Sequence, residues 1–183
     1  IVLKNININP TRDGILKALK IMGANISFFN QRKINNENVS DIIVKSSKLK
    51  GCELDENIAK LMIDEYPILS IAASFADSPS LFKGLGELRV KESNRLELIR
   101  LNLNNCGIYS EVKGDDLYID PTKKLEVKSK VIKTNFDHRI AMSFSVLGSK
   151  IGNITIEEPE SINTSFPKFI EIFNNAGGNL IEK

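Results

Sequence analysis

A short pattern that occurs three times along the chain constrains the fold more than any other feature. In each copy a helix-like segment ends at a glycine, and an extended segment follows. The helix-like segments are residues 11–23, 95–107 and 165–177, and the extended segments are residues 24–29, 108–112 and 179–181. In the first copy Ile15, Leu19 and Met22 mark one apolar helix face. The glycines stand where a helix C-cap favours a left-handed residue.

A second repeat alternates with the first. Residues 64–76 and 137–149 both begin with Asp, continue with small and apolar residues, and lead towards an extended segment. Helices that are apolar or small on all sides are buried. Pro67 is tolerated only in the first turn of a helix, so Asp64 or Glu65 is predicted to be the N-cap.

Together the two repeats predict an α/β protein made of repeated βαββαβ units. The helices are expected in the centre and the sheets outside, in a single domain over residues 1–183. The predicted units are about 1–88, about 89–162, and a partial third at 163–183, which would need its last half from another part of the protein. A chain of 183 residues is long enough for one good core. The polar stretch 30–37 is predicted to be a loop.

Composition excludes several classes of function. A net charge of +2 is too small to indicate nucleic-acid or membrane-surface binding, and the lysines do not alternate with aromatic residues. No apolar run is as long as a membrane span, and the first residues show no signal-peptide pattern. Cys52 and Cys106 lack metal-ligand spacing and are expected to be reduced thiols of a cytoplasmic protein.

A cluster of charges lies between a predicted strand and a predicted helix. It comprises Arg89, Lys91, Glu92 and Arg95. A helix start carries partial positive charge, and added cations make it a seat for phosphate or carboxylate. Neighbouring cations favour the ionised form of Glu92 and burial opposes it, so Glu92 is a candidate proton donor or acceptor. The alternative is a solvated helix start with surface salt bridges.

The same cluster resembles a known family. Lys91-Glu92-Ser93-Asn94-Arg95, after Glu87-Leu88-Arg89-Val90, is similar to the signature of the 5-enolpyruvylshikimate-3-phosphate synthases. Four further segments agree with that family, in order along the chain: residues 9–12, 64–67, 137–142 and 164–167. The resemblance covers only the C-terminal part of a longer, two-domain enzyme of the enolpyruvyl transferase fold. It implies that an N-terminal domain is missing and that this chain alone is folded but inactive.

The resemblance also implies a reaction and roles. The family transfers an enolpyruvyl group from phosphoenolpyruvate to the 5-hydroxyl of shikimate 3-phosphate, in aromatic amino-acid biosynthesis, with no metal or organic cofactor. Asp64 would take the hydroxyl proton, and Glu92 would protonate the methylene carbon of phosphoenolpyruvate. The implied substrate-binding residues are Asp64, Lys91, Arg95, His138 and Arg139. Six of the charged side chains are predicted to lie along one face of the domain: Asp64, Arg89, Lys91, Glu92, Arg95 and Arg139.

Less specific interpretations remain open at this point. Asp64 is alternatively a helix cap, and His138 a structural residue; Asp137 is interpreted as a cap only. Three positions depart from the family pattern, namely Glu87, Asn94 and Thr164. A sister enzyme acting on UDP-N-acetylglucosamine has a similar fold and is one alternative. A non-catalytic RNA-binding or cyclase-like module on the same repeat is another, which salt-dependent RNA retention would reveal.

Overall fold

Helices packed between three small sheets form the architecture of the computed structural model, which describes residues 1–181. The strands are β1 (Val2–Asn7), β2 (Asn25–Ile34), β3 (Glu37–Lys45), β4 (Glu53–Leu54), β5 (Ser80–Phe82), β6 (Ile108–Lys113), β7 (Asp116–Lys124), β8 (Val131–Ile132) and β9 (Thr155–Ile156). The helices are α1 (Gly14–Ile21), α2 (Glu56–Met62), α3 (Tyr66–Ala73), α4 (Arg95–Asn105), α5 (His138–Ile151) and α6 (Phe169–Asn175).

The three sheets differ in how many strands they contain. The first has the order β1-β3-β2 with all pairs antiparallel, the second the order β4-β5-β7-β6, and the third only β8-β9. In the second and third sheets the pairs β4–β5 and β8–β9 are parallel, and a helical segment connects each pair. The second sheet takes strands from both sides of the unit boundary predicted at residue 88. A repeated α/β architecture with helices against sheets is confirmed.

The predicted helices are present. The three glycine-terminated segments form α1, α4 and α6, and the buried pair forms α3 and α5. Pro67 lies in the first turn of α3, as predicted. The core lies around these helices: Tyr66 of α3 and Phe82 of β5 are fully buried and meet edge to face, with ring centroids 5.5 Å apart. None of the helices described here is long and apolar enough to cross a membrane.

Two predictions about extended segments were wrong. The stretch 30–37 is not a loop but continues the hairpin β2–β3, turning only at Asn35 and Asn36, which have φ of 49° and 65°. Asn tolerates this left-handed conformation, so polar residues here make a hairpin turn. Residues 179–181 form no strand, because no partner strand lies beside them in the described chain. Glu65 occupies the N-cap position of α3, as predicted, but its side chain makes no capping hydrogen bond.

An apolar groove runs between α1, α3 and α5. Its volume is about 380 Å³, and its walls include Ile15 and Leu19 of α1, Ile68 and Phe75 of the α3 segment, and Val146 of α5. Phe75 is 40% exposed there. The groove therefore leaves part of the helical core in contact with solvent.

Candidate active site at the starts of three helices

The starts of three helices meet at one side chain, Arg95, the first residue of α4. Its Nη1 donates to Oδ1 of Asp64 at 3.0 Å, in the 3₁₀ turn that precedes α3. Its Nε donates to Oδ2 of Asp137 at 2.8 Å, at the start of α5. Helix starts from successive repeats therefore face the same spot.

Arg95 is buried, with only 1% of its side chain exposed. An isolated guanidinium would be very costly there, because burial removes its hydration. Three carboxylates compensate: Nη2 hydrogen-bonds Oε2 of Glu92, and the other two nitrogens bind Asp64 and Asp137. Arg95 thus fixes the relative positions of three acidic groups from three segments.

Asp64 is the carboxylate most surrounded by cations. Besides Arg95, its Oδ1 lies 3.4 Å from Nζ of Lys91 and its Oδ2 lies 4.0 Å from Nη2 of Arg139. Burial raises the pKa of Asp64, but the charges of Arg139, Lys91 and Arg95 outweigh it and hold the pKa below its usual value. Asp64 is therefore ionised at neutral pH, with 24% of its side chain exposed.

Lys91 is shared between two carboxylates. Its Nζ hydrogen-bonds Oε1 of Glu87 and lies near Asp64. The hydrogen bond from Lys91 to Glu87 is the main cause that raises the pKa of Lys91. An anion that binds Lys91 must compete with these two carboxylates. Glu87 therefore weakens the binding of anions to Lys91.

Arg139, on the first turn of α5, bridges to the turn before α3. Its Nη1 donates to the backbone oxygen of Asp64 at 3.0 Å and lies 3.6 Å from Oε1 of Glu65. Glu65 also lies 3.8 Å from Nη2 of Arg12, which is 64% exposed. One-third of the Arg139 side chain remains exposed, so its outer edge can meet a ligand.

Asp137 does more than the capping predicted for it. One oxygen caps α5 by accepting from the backbone N–H of Arg139 at 2.9 Å and of Ile140 at 3.4 Å. The other oxygen accepts from Arg95 and from Oγ of Ser93, both at 2.8 Å. Complete burial raises the pKa of Asp137, but these bonds hold it below the usual value. The interpretation of Asp137 as a cap only was wrong.

Comparison with known proteins decides the family. The family model for EPSP synthase (3-phosphoshikimate 1-carboxyvinyltransferase) matches residues 1–173. The chain belongs to the EPSP synthase family. It is 42% identical over 179 residues to the 3-phosphoshikimate 1-carboxyvinyltransferase of Paramagnetospirillum magneticum, covering 97% of this chain and 40% of that protein. The corresponding protein of Petrotoga mobilis is 44% identical over 174 residues, covering 94% of this chain and 40% of its own length.

Solved structures agree with this assignment. An EPSP synthase from Acinetobacter baumannii superimposes with a TM-score of 0.88 at 40% identity, covering 99% of this chain and 42% of that one. The enolpyruvyl transferase NikO from Streptomyces tendae, at 13% identity and a TM-score of 0.63, shows the fold alone. The chain spans about 40% of the length of the curated relatives that it matches.

The structure of this EPSP synthase family member brings most of the predicted site residues together. Asp64, Lys91, Glu92, Arg95 and Arg139 form one connected network. His138 is the half-buried first residue of α5, between Asp137 and Arg139. Arg89 does not join them: its Nε pairs with Asp115 at 3.0 Å, on the β6–β7 turn.

Sequence reasoning missed three members of the network, Glu65, Ser93 and Asp137. Asp137 was discoverable, since a cap uses one carboxylate oxygen and leaves the second for a buried cation. Glu65 and Ser93 gave no such signal, because only the tertiary fold brings them to Arg139 and Asp137.

The exposed layer of the network is the part that can do chemistry. Exposed side-chain fractions are 52% for Glu92, 33% for Arg139 and 21% for Lys91, against 1% for Arg95. Two carboxylates and two cations therefore border the solvent above one buried guanidinium, a set suited to acid–base chemistry on an anionic substrate. Within residues 1–181, His, Cys, Asp and Glu side chains form no group arranged to hold a metal ion.

Proposed function

We propose that the full-length protein transfers the enolpyruvyl group of phosphoenolpyruvate to the 5-hydroxyl of shikimate 3-phosphate. The observation that carries this proposal is that Asp64 and Glu92, a candidate base and a candidate acid, bind different nitrogens of the same buried Arg95. One rigid group thereby holds both carboxylates at a fixed separation, as positioned proton transfer requires.

The cations of the network would bind the anionic substrates. Lys91 and Arg139 border the exposed layer and would meet a phosphate or carboxylate first. Arg95 lies beneath them with every nitrogen facing a carboxylate, so a ligand reaches it only by displacing Glu92 or Asp64. His138 is proposed as a further substrate contact because it begins α5 next to Arg139.

The proposed steps balance in protons. In this scheme Glu92 enters the reaction protonated on Oε1, while its Oε2 still accepts from Arg95. It gives this proton to the methylene carbon of phosphoenolpyruvate, which makes the adjacent carbon electrophilic. The 5-hydroxyl oxygen attacks that carbon while its proton passes to Asp64, and a tetrahedral ketal phosphate forms. The C–O bond to phosphate then breaks, phosphate leaves with the proton held by Asp64, and the methyl group returns its proton to Glu92. Lys91 and Arg139 stabilise the charge on the phosphate.

The lowered pKa of Asp64 fits this scheme only in the presence of substrate. A carboxylate held by three cations is a weak base. Two of these cations, Lys91 and Arg139, are the groups proposed to bind substrate anions. Once anions neutralise them, the pKa of Asp64 rises, and the carboxylate becomes a stronger base at the moment the hydroxyl is present.

We infer that this chain is the C-terminal part of a two-domain protein whose remainder completes both the fold and the site. Support comes from its length, about 40% of its relatives, and from the apolar groove between α1, α3 and α5. The occupant we propose for that groove is a helix from the rest of the full-length protein, packed as α3 and α5 pack on each other. Cys52 and Cys106 are free thiols, in keeping with a cytoplasmic protein.

Steady-state kinetics of the full-length protein test the reaction, with phosphate release as the measurement. We expect Asp64→Asn, which keeps an acceptor for Arg95, to lower turnover by about 100-fold or more, on the scale of lost general-base catalysis. Asp64→Ala should do the same. Arg139→Ala should instead raise the KM for phosphoenolpyruvate first.

Two matched variants serve as controls. Asp55→Ala removes a carboxylate that caps α2 through the N–H groups of Asn57 and Ile58, so it measures the loss of a helix cap alone. Arg100→Ala removes a surface arginine that pairs with Glu97. Near-normal turnover in Asp64→Asn would reduce Asp64 to a structural role. If the protein transferred the enolpyruvyl group only to a UDP-amino sugar, shikimate 3-phosphate would not be its substrate.

A further inference from the structure

The loop that leads into α5 adopts a costly backbone conformation. Asn135 and Phe136 are consecutive non-glycine residues with φ of 50° and 59°. The left-handed region costs roughly 1–2 kcal/mol for each such residue. The Phe136 side chain is 64% exposed, so packing of its ring does not supply the compensation. Something else must hold this loop.

Glu158, which follows β9, supplies the bonds. Its Oε2 accepts from the backbone N–H of Phe136 at 2.9 Å and from Oγ1 of Thr134 at 2.8 Å. Successive N–H groups of a left-handed turn form a concavity for an anion, and here a carboxylate of the same chain fills it. The bonds from Phe136 and Thr134 lower the pKa of Glu158, so it is ionised at neutral pH.

The loop connects directly to the site. The backbone N–H of Asp137 donates to the backbone oxygen of Thr134 at 3.1 Å, and the Asp137 carboxylate holds Arg95. His138 and Arg139 follow on the first turn of α5. Relaxation of residues 135 and 136 to negative φ would therefore move Asp137 and the start of α5 relative to Arg95.

We propose that Glu158 is a positioning residue, whose carboxylate keeps the 134–136 loop in the conformation that places Asp137, His138 and Arg139 at the active site. Its consequence for catalysis rests on the proposed function, but its effect on the loop does not. Glu158 itself lies in the left-handed region, with φ of 50°, and its backbone begins the 3₁₀ segment Pro159–Thr164. It thus ties that segment to the α5 start.

A structural readout is available because His138 is the single histidine of the chain. Its ring C–H signals in an NMR spectrum of this chain are unambiguous and need no substrate. We expect Glu158→Ala to shift these signals clearly. Glu158→Gln should leave them close to wild type, since one amide oxygen can accept both hydrogen bonds. Glu160→Ala, an exposed carboxylate in the same 3₁₀ segment, is the matched control and should change nothing.

A second-site rescue separates the loop from a general loss of structure. Glycine adopts positive φ without steric cost, so Phe136→Gly in the Glu158→Ala background should return the His138 signals towards wild type. Far-UV circular dichroism of each variant reports on the fold. Unchanged His138 signals in Glu158→Ala, equal shifts in Glu158→Gln, or no return on adding Phe136→Gly would each overturn the proposal.

Kinetics of the full-length protein then test the link to the site. Glu158→Ala should raise the KM for phosphoenolpyruvate about tenfold, below the hundredfold that a 1 Å misplacement can cost. The KM for shikimate 3-phosphate should change less, and Glu158→Gln should stay near wild type. If the wild-type protein catalyses no transfer, the proposed function fails while the His138 experiment still decides the role of Glu158. Equal loss in Glu158→Gln and Glu158→Ala would contradict a role through hydrogen bonds.

Discussion

Helices α4 and α6 occupy equivalent places in the sequence repeat but differ in how much of each helix is buried. Helix α4 packs against β6 of the second sheet and buries six residues, including Leu103 and Ile99. Helix α6 is the repeat equivalent of α4, and none of its residues is buried. Its aromatic face, Phe169 stacked on Phe173 with ring centroids 5.5 Å apart, stays partly open.

The sheets also differ in their number of strands. Within residues 1–181, the second sheet has four strands, whereas the third has only β8 and β9. The first sheet is intermediate: it has the hairpin β2–β3 after α1, but within residues 1–181 β1 pairs only with β3, in antiparallel orientation. An apolar helix face is stabilised mostly by tertiary packing, so we predict that the apolar residues of α6 pack against the rest of the full-length protein.

The largest effect we expect is on activity. This chain alone should catalyse no measurable transfer, because under the two-domain proposal the rest of the full-length protein forms the opposite wall of the cleft around Arg95. Holding two substrates in position accounts for a large share of such barriers. Adding the remainder of the protein as a separate polypeptide should restore phosphate release from shikimate 3-phosphate and phosphoenolpyruvate.

The same mixture also tests the comparison between the sheets. On addition, amide hydrogen exchange should slow in α6, none of whose residues is buried, and in the edge strand β1, and change little in α4, which is already well buried. Robust turnover by the 183 residues alone would break the comparison, since the open edges would then not be sites of missing structure.

Sequence reasoning recovered the elements that depend on local pattern. Helices α1, α4 and α6 follow from apolar spacing and a terminal glycine, and α3 and α5 from their small, apolar composition. The hairpin at Asn35 and Asn36 was missed because polar residues at a turn look the same as a polar loop. The N-cap position of α3 was predicted, at Glu65, but the Glu65 side chain faces Arg139 and Arg12 instead of capping the helix.

The grouping of the charged side chains was predictable, but the contacts among them were not. The charged cluster and the family resemblance gave Asp64, Lys91, Glu92, Arg95 and Arg139. That Arg95 is buried beneath them depends on long-range packing of three helix starts, which no local pattern encodes. For the same reason Arg89, in the same short segment, turns away to Asp115.

A matched pair of core substitutions measures the difference between α4 and α6 as stability. Leu103 is fully buried in α4, and Phe173 is its repeat equivalent in α6. In this chain Leu103→Ala should lower the free energy of unfolding by about 2–5 kcal/mol, the usual cost of a large cavity. Phe173→Ala should cost about 1 kcal/mol or less, because its site is already open to water.

Chemical denaturation of both variants provides the measurement. In the full-length protein the cost of Phe173→Ala should rise towards that of Leu103→Ala, since the added structure would cover α6. Equal costs for the pair in this chain alone would show that α6 is already as well packed as α4, contrary to the burial of its residues.

The smallest effect concerns pH and the buried bond between α4 and the start of α5. Asp137, at the start of α5, binds Arg95 of α4, and its pKa is held below the usual value. A lowered pKa in the folded state adds stability that is complete above the unfolded pKa, about 3.9 for Asp. It is lost as the pH falls through the folded pKa.

The free energy of unfolding of the wild type should therefore fall more steeply between pH 5 and pH 3 than that of Asp137→Asn. Over this range the wild type should lose more stability than Asp137→Asn, by an amount on the order of 1 kcal/mol. Asp137→Asn should also be less stable at pH 7, because it removes one charge from a buried pair and leaves Arg95 less compensated. The control is Asp115→Asn, which alters the exposed pair with Arg89 at the β6–β7 turn and should change the pH dependence of stability little. If Asp115→Asn flattens the pH dependence as much as Asp137→Asn does, the buried bond between Asp137 and Arg95 is not the source of the pH dependence.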